Sequence, residues 1–207
     1  MVKRSLMLTA LVAMTLLVVP AGAQDVAEGQ WINLFDGETT FGWNTLGDVH
    51  SEVIEGQLVL DNSSGGLMAT NVRFKDYEMK IKLRVIGEGS VGIMARGALD
   101  GHWSENGSYV YFVNSSKKDK DWKEITIKAV GDSVTAQVDG NSVKTLEGSL
   151  AKGHIGIQYI RVHSAPVKVE IESIKLRPLQ LKPIFDGKSL DGWNIIPDKA
   201  SIFTVVD

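Results

Sequence analysis

Apolar and polar residues alternate along much of this chain. In Tyr77-Glu78-Met79-Lys80-Ile81-Lys82-Leu83-Arg84-Val85 every odd position is apolar and every even one charged. A period of two sends one face of a strand into a core and the other toward water, whereas a helix would smear both sets around its axis. Ile125, Ile127 and Ala129 alternate in the same way. Gly131-Asp132 then reads as a turn, and Val134, Ala136 and Val138 resume the pattern. Asp139-Gly140-Asn141 is the next tight turn, before Val143 to Leu146, so this stretch predicts an antiparallel meander. Glu52 to Leu60 predicts a hairpin turning at Glu55-Gly56, and Ile155, Ile157 and Tyr159 mark another strand. In Val167 to Leu176 the apolar set shifts from odd (Val167, Val169, Ile171) to even (Ile174, Leu176), which predicts a bulge near Ser173. Gly92 to Met94 and Tyr109 to Val113 read as inner strands.

Beyond the first 23 residues no stretch keeps a helical period. About ten short strands with glycine-rich turns predict an all-β fold, a two-sheet antiparallel β-sandwich or jelly roll, over residues 30–178. Pro178 to Pro183 brackets a linker at 179–183, because proline blocks further ladder pairing.

The start of the chain follows a different pattern. Lys3 and Arg4 precede an almost unbroken apolar run from Ser5 to Val19, and Ala21-Gly22-Ala23 supplies small residues for a peptidase. This is the three-part secretory signal, expected over residues 1–23, and it places the mature protein outside the cytoplasm, secreted or periplasmic. Without Lys3 and Arg4 the chain carries 20 basic and 25 acidic residues, a net charge near −5. That balance gives no electrostatic case for nucleic acid or an anionic membrane. No later segment is long and apolar enough for a transmembrane span. With no cysteine, stability must come from core burial.

One phrase occurs twice. Residues 34–44 read LFDGETTFGWN and residues 184–194 read IFDGKSLDGWN, with six of eleven positions identical. In each, Asp and Gly form a turn and Trp follows a second glycine. Trp43 is expected to plug the end of the sandwich core, the alternative being a sugar-stacking platform. Residues 184–207 are too few to bury a core of their own and read as the start of a second copy of the domain.

The phrase resembles the opening of the 3-keto-disaccharide hydrolase domain family. So do, in order, Tyr77 to Lys80, Val91-Gly92-Ile93-Met94-Ala95-Arg96-Gly97, Trp122 to Ile127, Val134 to Gly140, Gly153-His154-Ile155-Gly156-Ile157-Gln158 and Val169 to Leu176. The resemblance implies a jelly roll of the concanavalin A-like lectin and glucanase type. It also implies export and the cleavage of glycosides oxidised at C3. A 3-keto group acidifies the C2–H, so the glycosidic bond leaves by proton abstraction and elimination. That chemistry needs a base near C2, a cation or donor on the keto oxygen and an acid for the leaving group. Arg96 matches the family's arginine after its glycine-bearing strand. Ser108-Tyr109-Val110-Tyr111 lacks the carboxylate the family often has there. Gln158 is followed by Tyr159-Ile160 rather than Asp-His, with His163 further on.

The loop Asp100-Gly101-His102-Trp103-Ser104-Glu105-Asn106 is the densest in chemical groups. It nominates His102 and Glu105, with Arg96, as catalytic groups, and Trp103, Tyr109, Tyr111, Gln158 and His163 as substrate contacts. Oxygens of Asp100 and Glu105 could alternatively hold calcium; no other cofactor is expected. Glu170 and Glu172 point the same way from one strand, and the pair reads as an exposed outer face rather than a catalytic pair. Two functions compete: an enzyme acting on 3-keto-disaccharides, and a non-catalytic carbohydrate-binding sandwich holding glycans through Trp103, Tyr109, Tyr111 and Arg96. In either case the partner is a glycan or an oxidised disaccharide.

Overall fold

The computed structural model describes residues 29–87, 89–99, 107–114, 120–146, 150–160, 167–181, 188–191, 193 and 204. Eleven strands account for most of them, and no helix occurs among the described residues. They are β1 (Ile32–Asn33), β2 (Trp43–Ile54), β3 (Gln57–Phe74), β4 (Tyr77–Ile86), β5 (Gly89–Gly97) and β6 (Gly107–Asn114). After these come β7 (Lys123–Val130), β8 (Ser133–Val138), β9 (Asn141–Leu146), β10 (Gly153–Ile160) and β11 (Lys168–Pro178). Every pairing is antiparallel, in the order β6-β5-β10-β3-β11-β4-β7-β8-β9, with β2 beside β3 and β1 beside β11.

The long strand β3 turns this path into a sandwich. Its first residues pair with β11, Leu58 to Ile171 and Leu60 to Val169. Its later residues pair with β10, Leu67 to Gln158 and Ala69 to Gly156. The strand therefore passes from a back layer (β11, β4, β7, β8, β9) to a front layer (β10, β5, β6). Between them lies one core, to which Val91, Ile93, Ile155, Ile157 and Tyr159 contribute from the front and Met79, Ile81, Leu83, Ile125, Ile127 and Ile171 from the back. These are the residues whose period of two marked them as inward.

Local chemistry sets the corners. Glu55 and Gly56 both have positive φ, 50° and 77°, and join Ile54 to its partner Gln57. A two-residue hairpin loop of this mirror-image kind matches the right-handed twist of the strands, and it suits glycine at the second position. The predicted bulge is present: the β11–β4 register shifts between Ile171 and Ser173. The strand Tyr109 to Val113, read as inner, lies instead at the β6 end of the strand order.

Trp43 is the core plug, 8% exposed, with its indole N–H donated to the Leu34 carbonyl at 2.7 Å. The turn before it is held by Asp36, whose Oδ1 accepts from the N–H groups of Glu38 and Thr39 at 2.8 and 2.7 Å. These bonds, led by the one from the Thr39 hydroxyl, hold the Asp36 carboxyl down to about 2. The second phrase repeats the last hydrogen bond of the first. Trp193 N–H donates to Leu190 O at 3.0 Å, as Trp43 N–H does to Thr40 O at 3.1 Å. Trp193, however, is 51% exposed. The segment read as a linker begins packed down: Leu179 is buried and its N–H donates to Asp76 O at 2.8 Å.

The outer face of the back layer is a ladder of paired charges. Arg177 meets Glu78 at 2.6 Å, Lys82 meets Glu172 at 2.6 Å, and Glu170 takes Arg84 at 2.5 Å and Lys168 at 2.6 Å. Trp31 lies over Arg177 and Lys80, and Trp122 over Arg84 and Lys82. Glu172 is exposed as expected, but Glu170 is only 5% exposed, which corrects its reading as a wetted residue. Burial pushes its carboxyl up, yet the hydrogen bonds and charges of Lys168 and Arg84 outweigh that and leave it below the usual range.

Candidate functional site

The outer face of the front layer differs from that ladder. Register places its side chains in cross-strand rows. One runs Leu46–Leu67–Gln158–Gly92–Tyr111, and the next Asn44–Ala69–Gly156–Met94–Tyr109. A third, beyond a register shift in each pairing, runs Arg73–His154–Gly97–Gly107.

Leu67, Ala69, Met94 and Tyr109 form a small second cluster on this face, with Leu46 and Leu99 packed against it. Glycines make it possible. A Cβ on Gly156 would lie 2.6 Å from Leu67 Cδ1 and 2.9 Å from Met94 Cε, and one on Gly97 would lie 2.1 Å from Met94 Sδ. The Met94 side chain thus lies across bare backbone, and the Tyr109 hydroxyl sits 3.1 Å from its sulfur.

Gln158 stands beside this apolar patch. It is 8% exposed, and its Oε1 is buried without a hydrogen-bond partner. A buried amide oxygen left unpaired costs about 1–3 kcal/mol, so evolution's tolerance of it calls for an explanation at this position.

Of the residues nominated from sequence, Tyr109 and Gln158 lie here together. Tyr111 holds the matching strand position in the Gln158 row, though its side chain is not among those described. His102, Trp103, Glu105 and His163 lie outside the described residues, as does Asp100. Among the described residues no cluster of three metal-ligating side chains occurs.

Arg96 lies elsewhere. Strict alternation from Met94 would put it on the outer face, but the β5–β6 register shifts between Met94 and Arg96. The bulge leaves Ala95 in the main core and turns Arg96 inward as well, where it is 0% exposed. Its Nη1 donates to Gly131 O at 2.5 Å and Leu150 O at 2.9 Å, and Nη2 lies 3.5 Å from Asp76 Oδ1. Asp76 Oδ1 also accepts the Gly131 N–H at 2.9 Å. In this position Arg96 clamps β5 to the β3–β4 and β7–β8 turns and does not face the site. Tyr77 underlies the clamp, its hydroxyl donating to Ala95 O, and burial raises its phenol above the ordinary value.

Sequence reasoning passed over Met94, Leu67 and His154. The signal was available: His154 and Gln158 share a parity on β10, and Met94 shares the outward parity of Gly92 on β5.

The fold and the family match together define a carbohydrate-active β-sandwich. The chain belongs to the 3-keto-α-glucoside-1,2-lyase-like domain family, whose model matches residues 30–177. Among solved structures it is similar to two Parabacteroides distasonis proteins proposed to be glycosyl hydrolases. The first has TM-score 0.59 and 12% identity, with 74% of this chain and 94% of that one covered. The second has TM-score 0.58 and 16% identity, with 72% and 100% covered. A Bacillus subtilis protein of unknown function with a galectin-like fold aligns at TM-score 0.56 and 11% identity, covering 74% and 96%. At these identities the likeness concerns the fold. No curated protein matches the sequence.

Proposed function

We propose that this domain takes a glycoside on the outer face of its front layer and cleaves 3-keto-glycosides by elimination. The observation that carries the reading is the unpartnered Gln158 Oε1 beside the Met94–Leu67–Tyr109 patch. A sugar presents hydroxyl donors on its edge, which suits an amide acceptor left without a donor. Family membership supplies the reaction class: loss of the C2 proton from a 3-keto sugar, departure of the C1 oxygen, and later addition of water. Tyr111, Trp103 and His163 are further substrate contacts in this reading, and His102 and Glu105 further acid–base groups. Arg96 holds the fold. Residues 1–23 direct export to the periplasm or beyond.

A binding module is the second reading, and one observation favours it. On β6 the family often has a carboxylate, and here the strand reads Ser108-Tyr109-Val110-Tyr111. Incubating the full chain with a 3-keto-α-glucoside and following release of the aglycone separates the two. Turnover supports the enzyme; saturable binding of glycosides without turnover supports the module; neither binding nor turnover defeats both.

A further inference from the structure

Resting on the enzymatic reading, we infer that His154 takes the substrate proton and that Arg73, opposite it, stabilises the charge that results. His154 lies on β10 two places before Gly156 and four before Gln158, on the same face. The strand rise puts it roughly 13 Å from Gln158, with the buried Met94–Leu67 cluster between them.

Its hydrogen bonding fixes which nitrogen is available. His154 Nδ1 lies 2.7 Å from the Thr70 carbonyl oxygen. A carbonyl can only accept, so Nδ1 carries the hydrogen, and in the uncharged ring the lone pair is on Nε2. Among the described residues nothing else hydrogen-bonds this ring. A backbone carbonyl that orients an imidazole through one nitrogen and leaves the other as a base is the arrangement proton transfer requires.

The two sides of His154 differ: the Gly97 side is covered and the Arg73 side is exposed. His154 pairs with Gly97 on one side, and Gly97 pairs with Gly107. Neither has a side chain, and the Met94 side chain covers both, its Sδ 2.1 Å from where a Gly97 Cβ would lie and 3.0 Å from where a Gly107 Cβ would lie. The ring is partly exposed, whereas Leu67 and Met94 are both 0% exposed, so the row of His154 is where the face opens. On the other side His154 pairs with Arg73. Directly opposed residues have Cβ atoms about 4.5–5.5 Å apart, and the exposed Arg73 has no partner among the described residues.

The step balances as follows. Nε2 accepts the C2 proton, the C2–H electrons form the enolate with the C3 oxygen, and the guanidinium of Arg73 faces that oxygen. The enolate electrons then form the C1–C2 double bond while the C1–oxygen bond breaks and its pair leaves with the aglycone oxygen. That oxygen takes a proton from water, and the imidazolium returns its own to water.

Structure alone gives His154 a second role, since with the Thr70 hydroxyl, which accepts the Ile155 N–H at 3.1 Å, it stitches the irregular β3–β10 register. His154→Asn separates the roles. Its amide nitrogen stands where Nδ1 stood and keeps the bond to Thr70, but it has no base. The experiment measures C2–H exchange with deuterated water and aglycone release from a 3-keto-α-glucoside by the full chain. His154→Asn is expected to lower kcat by about 10²–10⁴ with KM little changed, and Arg73→Gln by about 10²–10³. If His154→Asn does not fold, two measurements decide. Arg73→Gln alters only an exposed side chain, and ring-nitrogen NMR of the unaltered protein should show the Nε2 signal, not Nδ1, moving when the sugar is added. Wild-type turnover with both variants within threefold, or an Nε2 signal indifferent to the sugar, overturns the inference and leaves the enzyme standing. A wild-type chain that neither exchanges nor cleaves overturns the enzymatic reading and this inference with it.

Discussion

The two outer faces of this sandwich are built from the same kind of alternating strand and end in opposite electrostatic states. On the back layer Glu78, Lys82, Arg84, Glu170 and Glu172 each have a counter-charge within 2.6 Å, and two indoles lie over the cations. On the front layer Gln158 has an acceptor with no donor, and among the described residues the His154 ring is held from one side only. A face whose charges are paired has little left to offer a ligand. A face that keeps groups unsatisfied at a cost to stability is where binding energy can be recovered.

That contrast can be tested, beginning with the largest expected effect. Arg96→Ala should destabilise by about 3–5 kcal/mol in denaturant unfolding, because it empties a fully buried site and leaves the Asp76 carboxylate, among the described residues, only the exposed Lys75 ammonium at 3.8 Å as counter-charge. Loss of turnover without loss of stability would return Arg96 to the site. Met94→Ala should cost about 2–5 kcal/mol in denaturant unfolding. Glu172→Gln, at an exposed pair with Lys82, should cost no more than about 1 kcal/mol, and less at high salt.

Acid should act on the back face through Glu170. Its carboxyl lies below the ordinary value in the folded chain, so the stability it contributes is present above its unfolded value, about 4.3, and is lost as pH falls through that region. Thermal melting of Glu170→Gln should be less stable at neutral pH and less steep in its acid decline. An unchanged acid limb would remove Glu170 from the account.

The strands, the Glu55-Gly56 and Asp139-Gly140 turns, the bulge at Ser173 and the burial of Trp43 were all legible, because each depends on local pattern or turn chemistry. The burial of Arg96 was not legible, because a bulge between Met94 and Arg96 reverses the alternation and no apolar shift flanks it as one flanks Ser173. Glu170 was misread because alternation tells which face a residue joins and not what covers that face. Arg84 and Lys168 reach over Glu170, and the indole that holds Arg84, Trp122, lies outside the strands. The second cluster escaped notice because its face sets Met94 among Gly92, Gly156 and Gln158, small or polar residues that resemble a wetted surface. Only register showed that Met94 and Leu67 fill the space the glycines leave.

The most direct measurement is Gln158→Leu, examined by calorimetric binding of a 3-keto-α-glucoside and by thermal melting. Removing an unpaired buried acceptor and keeping its shape should hold stability constant or raise it by about 1 kcal/mol, while affinity for the sugar falls about tenfold. A variant that binds as tightly as the parent, or that melts well below it, would mean that Gln158 serves the fold and not a ligand.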